Sequence, residues 1–336
     1  MSVETILNLI VCFNRRISEL TASRARLSIG LPVFNGEKYI KEAIDSILAQ
    51  SFSDFELIIS DNASTDHTEQ ICREYVIRDS RIKYYRNLKN MGASYNHNRV
   101  FILSSGEYFK WAAYDDVLGK DFLLKCIEFL DKNPSMVLCS SKTGRINEKS
   151  EFQDIYEFKV RINSSKPHER FHDFIEMRNH AWLLLFGVIR SGSLRKTRLF
   201  GNYIGTDTNL IAELSLLGSM FEIPEVLFFR RYHSQSYTET TGQDYKERLS
   251  WWVVSGSPKY IFPYWRICQE YIRSVRHIPM KQSESLNCYL QIVKYLIKEG
   301  FILMSIDVAL VLVGHSRLHR TLTPFGRQLY KLAIKR

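Results

Sequence analysis

The sequence has no low-complexity tract, no internal repeat and no apolar run long enough to span a bilayer. Its six cysteines, Cys12, Cys72, Cys126, Cys139, Cys268 and Cys288, are scattered, with no C-x-x-C pair and no histidines at zinc-site intervals. This argues against a disulfide framework or a zinc module and fits a reduced, cytoplasmic setting. The longest apolar stretch, Phe301 to Val313, contains Asp307 and falls short of the roughly 20 residues that a spanning helix needs. Glu4 interrupts the start of the chain, and Arg15 and Arg16 follow its apolar part, so no secretory signal is expected. No Gly-rich loop ending in Lys follows the first strand, which counts against a nucleotidyltransferase.

What is present is an ordinary globular composition, 45% hydrophobic and 24% charged over 336 residues, enough for one large domain with appendages. The charge is unevenly placed. From Gln243 to the end stand 15 Lys or Arg against 6 Asp or Glu, nearly the whole net charge of +10. Arg317, Arg320, Arg327, Lys331, Lys335 and Arg336 close the chain with no acid among them. A basic end on a near-neutral body suggests an anionic surface as partner. The basic residues lie with aliphatic stretches rather than in a recognition module, so no nucleic-acid partner is expected. Phe301, Ile302, Leu303, Ile306, Leu310 and Val313 fall largely on one helical face, which fits a peripheral contact with an anionic membrane at its inner face.

Periodicity predicts strands at Leu27–Phe34, Phe55–Ser60, Ile82–Tyr85, Tyr108–Ala113 and Met136–Cys139. Helices are expected between them over Glu37–Gln50, Asp66–Ile77 with a capping-box start, Ser94–Leu103 and Phe122–Leu130. Later come a helix over Phe171–Leu185, another over Asp207–Leu217 and a strand over Val226–Tyr232. Alternation of this kind predicts an α/β fold, a mostly parallel Rossmann-like sheet flanked by helices, with a helical C-terminal extension. Ligands of such sheets bind at the carboxyl ends of the strands. Three of those ends carry polar clusters: Asn35-Gly36-Glu37, Asp61-Asn62 and Asp115-Asp116.

Asp115 and Asp116 repel each other unless a cation neutralises them, and Mg2+ or Mn2+ with phosphate oxygens is the usual solution. The plainer alternative is a turn leading into the helix after Lys120. Asp61, at the end of a buried strand, suits a base N–H or a ribose hydroxyl, whereas Asp66 suits a helix cap.

The segments Pro32-Val-Phe-Asn-Gly-Glu-Lys-Tyr-Ile40, Ser46-Ile-Leu-Ala-Gln50 and Ser60-Asp-Asn-Ala-Ser-Thr-Asp66 resemble the opening of family-2 glycosyltransferases. Asn90-Met-Gly-Ala-Ser94 with Asn98, Gly106-Glu-Tyr108 and Asp115-Asp-Val-Leu118 continue the resemblance in the family's order. It implies the A-type nucleotide-diphospho-sugar fold and an inverting, metal-dependent transfer. By this resemblance Pro32, Phe34 and Glu37 contact the nucleotide, Asp61 bonds the base, and Asp115 and Asp116 touch ribose and hold the metal. Many members have Asp-x-Asp-Asp where this chain has Ala113-Tyr114-Asp115-Asp116, so the pair serves both roles. Gly205-Thr-Asp-Thr-Asn-Leu210 resembles the segment of the catalytic base, which points to Asp207; the alternative is a helix cap. Arg230-Arg-Tyr-His233 resembles the Arg-x-His element, from which His233 would ligate the metal or steady the leaving diphosphate. His180 and Trp182 are assigned to the acceptor side.

The sequence thus predicts an N-terminal helical segment (1–26), a catalytic domain (27–242, nucleotide half 27–140 and acceptor half 141–242) and a basic helical extension (243–336). The expected activity is transfer of a sugar from a nucleotide-diphospho-sugar donor to a glycan or lipid-linked acceptor, in cell-surface polysaccharide or glycolipid synthesis. A degenerate transferase fold serving as a glycan-binding scaffold is the competing reading; intact Asp61, Asp115, Asp116 and Asp207 count against it.

Overall fold

The computed structural model describes residues 24–234, 236, 245–253 and 262–313. The first 23 residues, the boundary near 242, the break at Ser255–Pro258 and the basic end from 314 onward lie outside them.

The first part of the described chain follows the alternation read from the sequence: β1 (Leu27–Val33), α1 (Ile40–Leu48), β2 (Phe55–Asp61), α2 (Thr68–Arg78), β3 (Ile82–Arg86), α3 (Ala93–Ile102) and β4 (Tyr108–Trp111). Every residue of β1 and β2 is buried, as expected of central parallel strands with helices on both faces. Ile40, Ala43, Ile44 and Ile47 form the buried stripe of α1. Beyond β4 come β5 (Val117–Leu118), α4 (Phe122–Lys132), β6 (Met136–Ile146), β7 (Phe152–Ile155), α5 (Pro167–Met177), a 3-10 helix (Ala181–Phe186) and β8 (Val188–Arg190). Then follow α6 (Ser191–Leu194), α7 (Thr206–Leu217), β9 (Ser219–Arg231), α8 (Tyr245–Trp252), α9 (Pro263–His277), α10 (Gln282–Tyr295), a π-turn (Leu296–Gly300) and α11 (Phe301–Val313).

The strand order is β3-β2-β1-β4-β8-β6-β9-β5, with β7 also on β6. Pairing is parallel from β3 through β4 and between β6 and β9, and antiparallel where β8, β7 and β5 join. The helix expected over Phe171–Leu185 divides at Arg178, whose guanidinium caps the carbonyl of Ile175 at 2.8 Å. The capping box expected from Asp66 and Glu69 does not form. Glu69 is drawn into ion pairs with Arg73 and Arg86 instead, while Asp66 accepts the Thr68 N–H at 3.0 Å.

Two apolar clusters sandwich the sheet, one under α1, α2 and α4, the other under α3, α5, α7, α9 and α10. The C-terminal helices belong to the second. Tyr271 of α9 meets Phe171 and Phe174 edge-on at 5.8 Å, and Arg198 joins Glu213 of α7 to Glu270 of α9. Within the described residues no helix is long and apolar enough to cross a membrane.

Candidate active site

The loops after β1 and β2 are laced together by backbone N–H groups, which need partners once strand pairing ends. Asn35 adopts φ 52° and donates its N–H to Ser64 Oγ at 2.9 Å. Gly36 donates to Thr68 Oγ1 at 2.8 Å, and Glu37 to Asp66 Oδ2 at 3.0 Å. A Cβ on Gly36 would stand 2.6 Å from Val33 and 2.9 Å from the Tyr114 ring, so only glycine passes here. Pro32 is buried in β1, and Phe34 is 41% exposed at the rim. The Glu37 carboxylate accepts the His67 N–H at 2.9 Å and faces its Nδ1 at 2.7 Å, which holds it below the ordinary carboxylate range.

Asp61 ends β2 fully buried. Oδ1 accepts the Ser64 N–H at 2.8 Å, while Oδ2 accepts from Tyr84 Oη at 2.6 Å and Arg86 Nη1 at 2.9 Å. Its neighbour Asn62 bonds Asn87, Asn90 and the Met91 N–H, tying this loop to the start of α3.

The Asp115-Asp116 pair is positioned by pairing that the sequence did not disclose. Two residues, Val117 and Leu118, pair antiparallel with Phe229 and Phe228. That short ladder draws the end of β9 across the aspartates. Arg231 N–H donates to Asp116 Oδ1 at 2.9 Å, and His233 Nε2 lies 2.9 Å from Asp115 Oδ2. The Arg231 side chain is wholly buried. It donates to the Asp115 carbonyl at 2.9 Å, the Asn147 carbonyl at 3.0 Å, Ser150 Oγ at 2.9 Å and Glu42 Oε2 at 2.6 Å. Its guanidinium sits 4.7 Å over the Tyr39 ring, which also packs 4.7 Å from the His233 ring. Burial first, then the charge of Asp115, pushes the Asp116 carboxyl well above its ordinary range. Among the described residues no three His, Cys, Asp or Glu side chains converge as a metal-ligand group: Asp115 and His233 meet, while Asp116 Oδ1 is engaged by the Arg231 amide.

Asp207 stands in the first turn of α7, behind Gly205, whose φ of 85° makes the entry turn. Its Oδ1 accepts the Thr208 N–H at 2.8 Å. The preceding loop is pinned to α3, with Ser94 Oγ on the Gly201 carbonyl at 2.9 Å and Asn98 bonded both ways to Phe200. Two further side chains, His180 and Trp182, join an aromatic cluster: Tyr156 Oη lies 2.7 Å from His180 Nδ1, and Arg230 stacks 4.1 Å over Trp182. Burial lowers the His180 pKa.

The sequence motifs gave no role to Arg231, Glu42 and Tyr39, which hold the aspartate pair, or to Tyr84 and Arg86, which hold Asp61. Two adjacent arginines, Arg230 and Arg231, directly after the apolar run Val226–Phe229 were a signal, since a charged side chain at the end of a buried strand needs a reason to be there.

A mixed α/β sheet flanked by helices, with acidic and polar loops gathered at the ends of its strands, is the A-type glycosyltransferase fold. The family model for glycosyl transferase family 2 matches residues 28–197, and the chain belongs to that family. It is 27% identical over 231 residues to an uncharacterized glycosyltransferase of Rickettsia typhi, covering 67% of this chain and 70% of the relative. A Bacillus subtilis glycosyltransferase named for teichuronic acid biosynthesis is 33% identical over 111 residues, 33% of this chain and 44% of the relative. Similar folds occur in Staphylococcus aureus TarS with UDP-GlcNAc (TM-score 0.57, 17% identity, 82% of this chain and 73% of that one). The Pyrobaculum calidifontis mannosyltransferase with GDP-Man and Mn2+ is similar too (TM-score 0.53, 15% identity, 92% and 81%).

Proposed function

We propose that this glycosyltransferase moves a sugar from a nucleotide-diphospho-sugar to an acceptor hydroxyl with inversion, in the building of a surface polysaccharide or glycolipid. The observation that carries the reading is the 2.9 Å contact between Asp115 Oδ2 and His233 Nε2, with Asp116 fixed beside it by the Arg231 amide. Two donor atoms at that separation suit neighbouring positions around a small cation with ligands at about 2.1 Å. The carboxylate oxygen suits Mg2+ or Mn2+, with the rest of the shell from phosphate and water, and the imidazole nitrogen beside it favours Mn2+ of the two. Asp115 and His233 are the residues that would hold it, and when bound it would offset the charge of the departing diphosphate.

The chain's own residues supply the rest. The Pro32–Glu37 loop and the Asp61 loop form one braced platform for the base and ribose. Asp61, satisfied by three donors, acts chiefly by holding Arg86 and the Ser64 turn in place. Asp207 takes the acceptor proton as the hydroxyl attacks the anomeric carbon from the face opposite the diphosphate. The names of the relatives support a nucleotide-sugar donor, since the neighbouring folds carry UDP-GlcNAc and GDP-Man.

We also infer a membrane-surface contact that would serve a lipid-linked acceptor. Leu286, Leu290, Val293, Ile297, Phe301 and Ile302 stand exposed along α10 and α11, while Cys288, Ile292 and Tyr295 face the core. All three acids from 281 onward are turned inward: Glu284 onto His168 at 2.6 Å, Glu299 onto Arg178, and Asp307 onto the N–H of Tyr264 at 2.8 Å. Lys298 pairs with Glu176 at 2.8 Å, which leaves Lys281 and Lys294 as the charges of this described segment that could meet an anionic surface beside the apolar stripe.

A screen of nucleotide sugars with Mn2+ or Mg2+, read as thermal stabilisation and sugar release, tests the reaction. A true donor at 100 times its Kd stabilises the fold by about 2.7 kcal/mol. Asp116→Asn and Asp207→Asn should each abolish transfer in a folded protein. Near-native turnover in Asp207→Asn would remove that residue from the base role, and absence of stabilisation by any nucleotide sugar would sink the reading.

A further inference from the structure

Arg230 is unlike the other arginines near the site. Arg231 pairs with Glu42 at 2.6 Å and Arg145 pairs with Asp154, but Arg230 makes no ion pair among the described residues. Its guanidinium carbon lies 4.1 Å from the Trp182 ring centre and 4.7 Å from that of Tyr232, and Nη1 donates to Tyr232 Oη at 3.0 Å. All three side chains are half-buried. A half-buried cation without a counter-anion is costly. Stacking on two aromatic faces offsets part of that cost while fixing the plane of the fork, and it leaves most of the N–H edge open. A planar guanidinium held this way is preorganised for two parallel hydrogen bonds to a carboxylate or phosphate.

Its place in the chain gives that edge something to meet. The next residue's amide holds Asp116, and His233, three residues on, touches Asp115. The charge of Arg230 is felt at Asp116, where it opposes the upward push of burial. On its other side stand Tyr156 and His180, with Tyr156 6.5 Å from Trp182, a set of rings suited to sugar faces.

We propose that Arg230, held flat by Trp182 and Tyr232, is a recognition site for an oxyanion carried by a substrate, either the donor's diphosphate or a phosphate or carboxylate group on the acceptor glycan. This rests on the sugar-transfer reading above and assigns that site a charge preference. Trp182 and Tyr232 set the orientation of the fork and Arg230 supplies the contact.

The test compares the full-length wild type with Arg230→Gln, Arg230→Lys and Trp182→Leu by calorimetric titration in the presence of Mn2+, after thermal melts show that each variant folds. One arm uses pyrophosphate, UDP and GDP; the other uses galacturonate against neutral galactose. Loss of one charge-assisted bidentate contact should weaken binding in one arm about tenfold or more in Arg230→Gln. Arg230→Lys keeps the charge without the fork and should recover part of that affinity. Trp182→Leu keeps the guanidinium but removes one wall, and should show a smaller loss in the same arm. A loss confined to pyrophosphate and the nucleotides assigns the anion to the donor, and a loss confined to galacturonate assigns it to the acceptor. Unchanged affinity in both arms for Arg230→Gln, with the wild type binding nucleotide, overturns the Arg230 site and leaves the transferase reading intact. Failure of the wild type to bind any of the anions overturns both.

Discussion

At the scale of single residues, the site is built from side chains that hold other side chains. Arg231 reaches no substrate-facing surface, yet four acceptors from three parts of the chain converge on it. Arg231→Met would leave the Asp115 and Asn147 carbonyls without donors in a half-buried place. The expected cost is about 2 kcal/mol, kept low because the Glu42 side chain is 43% exposed and can rehydrate. Catalysis should suffer more than stability, since a displacement of about 1 Å at a reacting centre costs on the order of 100-fold. Denaturant melts and turnover measured on one preparation would show this; a variant that loses stability but keeps turnover would deny Arg231 its positioning role. Lys110 offers a second residue-scale test. It is fully buried in β4 beneath the site, donates to the carbonyls of Trp111 and Phe186, and lies 4.8 Å from the Phe122 ring. Burial lowers its pKa from 10.5 to about 7. Between pH 7 and 10.5 the unfolded chain binds this proton and the folded chain does not, so the contribution of Lys110 to stability rises with pH through that window. Below pH 7 both states are charged and its penalty is constant. Lys110→Met should therefore flatten the rise in stability between pH 7 and 10, measured as the difference between the two proteins' denaturation midpoints. Parallel curves would show that Lys110 stays charged in the fold.

At the scale of elements, β9 and α10 carry the most consequence. One strand sends Arg230 to Trp182 on one side and Arg231 to Glu42 and Tyr39 on the other, then delivers His233 to Asp115. The β5–β9 ladder makes this possible with only two residue pairs. A two-residue strand leaves no period to read, and its partner lies more than a hundred residues away. The expected strand over Val226–Tyr232 was the visible part of an element that begins at Ser219. For α10, the inferred membrane contact makes a direct prediction. Replacing Leu290 and Ile297 together by Asp, at positions 50% and 73% exposed, should abolish flotation with anionic liposomes and leave donor hydrolysis unchanged. Unchanged flotation would clear this face of a lipid role. A loss of dimer in its place would assign the stripe to a second copy of the chain.

At the scale of the whole molecule, local pattern and long-range contact made separable contributions. The α/β class, the first four strands and helices, and the three polar strand ends were all legible. Buried parallel strands read as continuous apolar runs, helices carry a 3.6-residue stripe, and the breaks between them expose polar residues. Asp61, Asp115 and Asp116 were legible for the same reason, because Asp61 ends β2 and the pair follows β4 in the short link to β5. What those groups bond was not legible. The Tyr84 and Arg86 donors to Asp61, the turning of Asp116 toward the Arg231 amide, the meeting of Asp115 with His233 and the stacking of Arg230 on Trp182 all join residues far apart in the chain. Such contacts depend on which strands become neighbours, and the mixed order β4-β8-β6-β9-β5 follows from burying two apolar faces at once rather than from any local period. Local pattern was enough for the long strands and helices of the first part of the chain and for the polar groups near their ends, but not for the short strands β5, β7 and β8, which carry too few residues for a period. The tertiary structure alone decided which of those groups face one another, because hydrogen bonds form between atoms a few ångströms apart in space, whatever their separation along the chain.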